Sequence, residues 1–280
     1  MNYISLLNFG QNALKTTKIP TSLIDSEIIL SYVLKTSREK LLCNLDKKLN
    51  KYQIIMFKKL IKLRATRMPI AYITRKKEFW KHSFQINKSV LIPRPETELL
   101  VEKILNKIKK NERKNILDIG TGSGCILISI LLERHKCIGT GIDISKSAIN
   151  VAKTNAKIQQ VKNRITFINS DIDKFYSNKY DFIVSNPPYI KKTNLNNLSE
   201  DVKNFEPIKA LDGGINGVEI YKKVILKGSK MLRTGGNLIL EIDENLVFKL
   251  TSMLIKKKFY INEIFKDLKG FKRCLIATKL

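Results

Sequence analysis

Four consecutive residues, Asn186-Pro187-Pro188-Tyr189, follow directly on the apolar run Phe182-Ile183-Val184-Ser185. Proline has no N–H and holds the residue before it in an extended conformation, so Asn186 and Pro187 are both rigid and extended. The turn therefore presents acceptors: the Asn186 side-chain oxygen and a proline carbonyl. Two fixed acceptors match the two protons of one planar –NH₂ group, and the Tyr189 ring can stack on that plane. A primary amide or aromatic amine held in this way aims its nitrogen at an electrophile. It needs no general base at the outset, because the proton leaves after attack and catalysis comes from positioning and dipoles. Asn186, Pro187, Pro188 and Tyr189 are the candidate catalytic residues.

The electrophile is suggested by a second stretch, Ile116-Leu117-Asp118-Ile119-Gly120-Thr121-Gly122-Ser123-Gly124. An apolar run that enters a glycine turn ahead of a helical run lets the backbone approach a ligand at the helix N-terminus. A dinucleotide fingerprint requires G-x-G-x-x-G, whereas this turn is G-x-G-x-G. Asp143 closes the next strand, 143 − 120 = 23 positions after the first glycine, near the spacing of about 20 for a carboxylate that accepts from ribose hydroxyls. Asp171 closes the third strand, where it could orient an adenine amino group or cap the turn that follows. An adenosine without a pyrophosphate suits S-adenosylmethionine, whose sulfonium methyl is the electrophile that an amide clamp requires.

These residues need a scaffold. From residue 96 onward strand-like runs (NILDIG, CIGTGIDI, RITFINSD, YDFIVSN, GGNLILEI) alternate with helical ones, the pattern of a parallel sheet covered on both faces. FYINEIFKDL and KRCLIATKL have no helix between them and are expected to pair antiparallel at one edge. Residues 1–72 carry apolar positions at helical spacing and form a small bundle assigned to substrate recognition. Residues 73–95 form a hairpin linker, with aromatic and β-branched residues on both sides of Asn87-Lys88. Residues 96–280 form the catalytic domain, in which Pro95 suits the first turn of a helix and Glu96 and Glu98 its positive end. The expected fold is thus α/β: a Rossmann-like, S-adenosylmethionine-dependent methyltransferase domain, its sheet mostly parallel with an antiparallel edge strand, plus a small N-terminal helical domain.

Composition narrows the class. Cys43, Cys125, Cys137 and Cys274 form no C-x-x-C pair, and His82 and His135 stand in no ligand spacing, so no metal is expected and the thiols are read as reduced. No run of eighteen apolar residues or signal-like start is present, which points to a cytoplasmic protein without a membrane partner. The 280 residues include 52 Lys+Arg against 25 Asp+Glu, a balance of +27. Most of the lysines are scattered singly, so proximity to the ribosome and compositional drift both remain open. Phe79 and Trp80 suit a hairpin core. Arg94 and Glu96 suit either a pocket wall or a helix start.

EFW at 78–80, LIPRPETELLVE at 91–102, LDIGTGSG, SNPPYI and FEPIKALDGGINGVEIYKKVI at 205–225 together resemble the peptide chain release factor glutamine methyltransferases, across nearly the whole chain. The resemblance implies methylation of the glutamine in the Gly-Gly-Gln loop of class I release factors with S-adenosylmethionine. It also implies cofactor binding by Gly120, Thr121, Gly122, Ser123, Gly124, Asp143, Asp171 and Asn186, an adenine contact at Ile172, and capture of the substrate glutamine by Asn186 to Tyr189. The family often has an aromatic at the position of Ile172 and tends to a glycine where this chain has Asp243. No role is therefore carried to the 241–245 loop. A nucleic-acid amino methyltransferase is the alternative, since NPPY occurs there too, but no target-recognition or RNA-binding module is visible and nucleic acid is not required.

Overall fold

The computed structural model describes residues 1–177 and 179–280. It divides into two compact units. The first comprises Met1–Lys76 with Ser199–Phe205, the second Lys77–Leu198 with Glu206–Leu280.

The first unit is helical: Tyr3–Thr16, Ser22–Leu34, Arg38–Leu42, Lys51–Ala65 and Ile70–Thr74. Asn2 with Ser5, and Asn50 with Gln53, form reciprocal capping boxes at the starts of two of these helices. Leu6, Leu14, Ile29, Leu30, Leu41, Phe57 and Ile61 form its core. Asp25 and Arg64 are buried as a pair at 2.7 Å, and the Arg64 guanidinium also reaches Asp201 at 3.0 Å. Arg67 adds a contact to Glu200 at 2.7 Å. These ion pairs anchor the Ser199–Phe205 excursion within this unit.

The second unit begins at Lys77, the second residue of β1 (Lys76–Phe79), which forms a tight hairpin with β2 (His82–Gln85). The expected position of its turn, at Asn87-Lys88, is corrected: the chain reverses at Trp80-Lys81, with Trp80 at φ 57°. The Trp80 amide donates to Glu98 at 2.8 Å and its indole N–H to Glu133 at 3.0 Å, contacts that hold a bulky residue in a left-handed conformation it would otherwise avoid. Asn87 instead caps its own turn, accepting from the Ser89 amide at 2.8 Å. Phe79 is buried and packs edge-on against Phe84, a core role.

Seven strands then form one sheet: β3 (Asn115–Ile119), β4 (Ile138–Asp143), β5 (Ile165–Asn169), β6 (Tyr180–Ser185), β7 (Leu232–Glu241), β8 (Phe259–Lys266) and β9 (Lys272–Lys279), in the order β5-β4-β3-β6-β7-β9-β8. The first five run parallel; β9 pairs antiparallel with both β7 and β8 at one edge. Alternation along the strands divides the core. Ile116, Phe182, Val184, Ile239 and Ile276 face a cluster that includes the helices Glu98–Lys107, Cys125–Glu133 and Lys146–Ile158. Leu117, Ile183, Leu238, Leu240 and Leu275 face the other, under Glu219–Met231 and Val247–Lys256. Burial on both faces explains why these strands are nearly continuous apolar runs.

Chain order reverses direction at β3, between β4 and β6, and at such a switch point a crevice opens beyond the carboxyl ends of the strands. Register levels the crevice floor. Ile119 pairs with Ile142 and Ser185, and Ser185 pairs with Leu240. Gly120, Asp143, Asn186 and Glu241, each one residue further on, therefore fall in one row across the top of four strands.

Candidate active site

A cavity of about 450 Å³ opens over that row. Its walls include Gly120, Thr121, Gly122, Ser123, Asp143, Asp171, Ile172, Asn186 and Pro188, together with Arg94 and Thr97. Gly124 lies outside this lining. It stands at φ 80°, where a Cβ would come within 3.3 Å of Ala152 and Phe167, so its place in the motif is explained by close helix-to-sheet packing. Pro187 is buried beneath the turn, and Tyr189 packs on the second core cluster instead of facing the cavity.

The glycine turn is tied down by its own amides. Gly120 and Thr121 both donate to the Ile142 carbonyl (2.9 and 3.0 Å), Gly124 donates to the Thr121 carbonyl (2.8 Å), and Gly122 donates to Asp143 Oδ2 (3.0 Å). Asn155, buried in the neighbouring helix, holds the Ser123 carbonyl at 2.9 Å and the Gln85 backbone through both ends of its amide. The four donors named above are thus spent on protein acceptors. A pyrophosphate needs free backbone N–H groups in such a turn, so the geometry favours a ligand that brings donors of its own.

Acceptors for such a ligand are present. Asp143 takes Gly122 N–H on one oxygen and Ser145 N–H on the other (2.8 Å), leaving further lone pairs on both. Burial raises its pKa, and the two backbone N–H bonds oppose that shift. Asp171 uses Oδ1 to accept from Asp173 N–H at 2.9 Å, so it caps the following turn while also lining the cavity. Ile172 supplies an aliphatic wall. Asp118, beneath the turn, is fully buried, and burial pushes its carboxyl up to about 7; Oδ2 accepts from Thr121 at 2.7 Å and Oδ1 has no partner.

On the other side of the cavity, Asn186 Nδ2 donates to Thr97 Oγ1 at 3.2 Å, and Thr97 Oγ1 donates to Glu241 Oε2 at 2.6 Å. Glu241 is buried, which drives its carboxyl up to about 7. Tyr221 donates to its backbone carbonyl at 2.8 Å. Glu206, also buried, accepts from Ile92 N–H (3.2 Å) and from the Arg94 guanidinium (2.5 Å), which settles Arg94 as a braced cavity wall. Glu96 is not in the lining and stands 4.0 Å from the exposed Lys269. The segment Leu211–Gly217 brackets the turn: Ile190 N–H donates to the Leu211 carbonyl and Gly213 N–H to the Ile190 carbonyl.

Thr97, Glu206, Gly213 and Glu241 were not singled out from sequence as site residues. Thr97, Glu206 and Gly213 lie inside the segments that carry the family resemblance, which was the available signal. Glu241 sits at the end of an apolar strand run, where a carboxylate is conspicuous. Among the described residues no group of His, Cys, Asp or Glu could hold a metal ion. Cys125, Cys137 and Cys274 are buried free thiols, while Cys43 is exposed. No helix of the described residues is long and apolar enough to cross a membrane.

A doubly wound sheet with this glycine turn and a strand-end Asn-Pro-Pro-Tyr defines a Rossmann-like methyltransferase domain. Consistent with that class, residues 95–202 match the methyltransferase small domain and residues 5–74 the PrmC N-terminal domain. Proteins named release factor glutamine methyltransferase are 36% identical in Clostridium acetobutylicum (96% of this chain, 95% of that one) and 38% identical in Leptospira interrogans (99% and 98%). Another, from Aquifex aeolicus, is 37% identical (91% and 90%). The chain belongs to the release factor glutamine methyltransferase family. A methyltransferase structure from Pyrococcus furiosus (TM-score 0.53, 20% identity, 70% of this chain and 88% of that one) shares the fold. So does a ribosomal protein L11 methylase from Lactobacillus delbrueckii subsp. bulgaricus (TM-score 0.52, 18% identity, 69% and 83%).

Proposed function

We propose that the protein methylates the side-chain amide of the glutamine in the Gly-Gly-Gln loop of class I release factors, with S-adenosylmethionine as methyl donor. The observation that carries the reading is the strand-end row. It sets the Asn186 carboxamide, rigid ahead of two prolines, in the wall of the same cavity as Asp143 and the glycine turn.

The donor set fits the cofactor. Asp143 would accept from the ribose hydroxyls, Asp171 and Ile172 would border the adenine, and Gly120 to Ser123 would let the ligand approach the backbone closely. When bound, S-adenosylmethionine supplies an electrophilic methyl on a sulfonium. The chain's own residues then position the amide: Asn186 Oδ1 accepts one amide proton, and a proline carbonyl of the turn accepts the other. Held by both protons, the amide nitrogen keeps one orientation, and the rate gain comes from orientation and fixed dipoles. Tyr189 is raised to about 12 by burial first and by Glu241 second, so its hydroxyl stays protonated at neutral pH and supplies no base.

The helical unit, with its Ser199–Phe205 excursion, is proposed to recognise the release factor. This reading carries a cytoplasmic location with it, and the +27 balance leaves ribosome proximity as a separate question. The test offers radiolabelled S-adenosylmethionine with purified release factor, ribosomal RNA and duplex DNA in parallel. Label is expected on the release factor glutamine; label confined to nucleic acid would replace this reading with the amino-methyltransferase alternative.

A further inference from the structure

Asn186 can act as a clamp only if its carboxamide is the right way round. An amide rotated by half a turn presents two donors where the substrate –NH₂ needs an acceptor. Nothing in the Asn-Pro-Pro-Tyr turn itself chooses between the two orientations, because the prolines fix the backbone and leave the side-chain amide free to turn.

We propose that Glu241, through Thr97, sets this orientation and that both are positioning residues for methyl transfer, a role that rests on the glutamine-methylation reading of the cavity. An ionised carboxylate can only accept, so the Thr97 hydroxyl must spend its one proton on Glu241, in the 2.6 Å contact observed. Toward Asn186, Thr97 then offers lone pairs alone. The Asn186 group that meets it at 3.2 Å must be the donor Nδ2, and Oδ1, which accepts no hydrogen bond among the described residues, remains for the substrate. The three side chains come from different places in the chain, the 3-10 turn before helix Glu98–Lys107, the end of β6 and the end of β7. Thr97 and Glu241 are buried, so water is a poor substitute for either partner.

The relay is sensitive to pH. Protonated Glu241 can itself donate to Thr97, which frees the Thr97 proton for Asn186 Oδ1 and allows the amide to turn over. The groups facing Glu241 are Arg273 and Cys274 on β9, Arg94 and Glu96 ahead of the helix, Tyr189 after β6 and Tyr221 on helix Glu219–Met231, and Asp243 acts on both tyrosines. Tyr189, Tyr221 and Cys274 are all raised by burial and remain neutral, and Arg273, raised despite burial by its bond to Asp267, remains charged. Asp118, at the other side of the row, titrates in the same range and serves as a control.

The experiment measures methyl transfer to a release factor from pH 6 to 8, with cofactor affinity by calorimetry, for the parent, Thr97→Val, Thr97→Ser, Glu241→Gln and Asp118→Asn. The parent kcat is expected to fall on the acid side with a midpoint near neutrality. Thr97→Val is expected to lose tenfold or more in kcat with cofactor affinity within twofold, and Thr97→Ser to restore it. Glu241→Gln is expected to flatten the acid limb, because a neutral amide no longer enforces one polarity, and Asp118→Asn to retain it. A folded Thr97→Val at the parent kcat, or an unchanged acid limb in Glu241→Gln, overturns the relay while leaving glutamine methylation intact. Should Thr97→Val fail to fold, the pH profiles of the parent and Glu241→Gln decide alone. A parent that does not methylate the release factor overturns both readings.

Discussion

Gly213 lies so close to the turn that a Cβ built on it would sit 2.7 Å from Tyr189 Cα and 2.9 Å from the Pro188 carbonyl oxygen. The Tyr189 carbonyl is hemmed in from the other side, 2.5 Å from a Cβ built on Gly217. Both contacts are with backbone, which cannot rotate away as a flexible side chain would. The LDGGING segment thus acts as a mould for Asn-Pro-Pro-Tyr.

Gly213→Ala is therefore expected to push the turn out of place. Gly213 does not occupy the left-handed region, so the effect is one of space. Since a displacement near 1 Å costs about a hundredfold in a positioned reaction, turnover should drop by at least about tenfold. Cofactor affinity should hardly change, because Asp143 and the glycine turn are on other strands. Steady-state kinetics paired with calorimetry check this; parent-like kcat would mean that the turn yields without consequence.

Asn186→Ala removes the proposed substrate acceptor and leaves Thr97 with nothing to receive. Loss of one positioned polar group predicts a fall in turnover of about a hundredfold or more, with cofactor still bound. Asn186→Asp keeps the acceptor but cannot donate to Thr97, whose one proton is already given to Glu241. It also adds a negative charge beside the sulfonium, which stabilises the ground state. Both variants should fold, by circular dichroism, and both should be slow in single-turnover assays.

Asp143→Ala should weaken cofactor binding by roughly 1.5 to 3 kcal/mol, the usual range for hydrogen bonds to a charged group. The loss has two sources. Ligand donors lose their acceptor, and Gly122 N–H loses the bond that fixes the turn. Titration calorimetry with S-adenosylmethionine, and with NAD as a control expected not to bind, measures it.

Stability should fall as pH rises through the mildly acidic range. Asp118 and Glu241 are raised to about 7 from ordinary values of 3.8 and 4.5, chiefly by burial, so between those limits the folded protein binds more protons than the unfolded chain. The stabilising contribution is complete below the unfolded values and is lost as pH climbs toward 7, on the order of 3 kcal/mol for each group. Carboxylates lowered by partners, such as Glu133 beside Lys81 and Trp80, act in the opposite sense but only below about 4.5. Urea melts at pH 5 and 8 should show the parent weaker at pH 8, and Asp118→Asn should reduce that difference.

Local signals in the sequence determined the strands, the glycine turn and the carboxylate that ends β4, whereas Asp171, expected to close β5, stands two residues past its last residue, Asn169. These depend on neighbours: alternation or continuity of apolar residues, the missing N–H of proline, and the φ freedom of glycine. The same locality marked Asn186 as a candidate acceptor. The hairpin turn was misplaced because Asn87-Lys88 has the turn chemistry whereas Trp80 does not. Contacts to Glu98 and Glu133, 18 and 53 residues away, outweigh Trp80's own preference. The orientation of the Asn186 amide, and the identity of Thr97 and Glu241 as its partners, were decided only by tertiary structure. Those hydrogen bonds join residues 89 and 144 positions apart, and they meet because strand register brings the ends of β6 and β7 to one level. A sequence states which groups can donate and accept; which of them meet out of reach of water depends on how the strands line up.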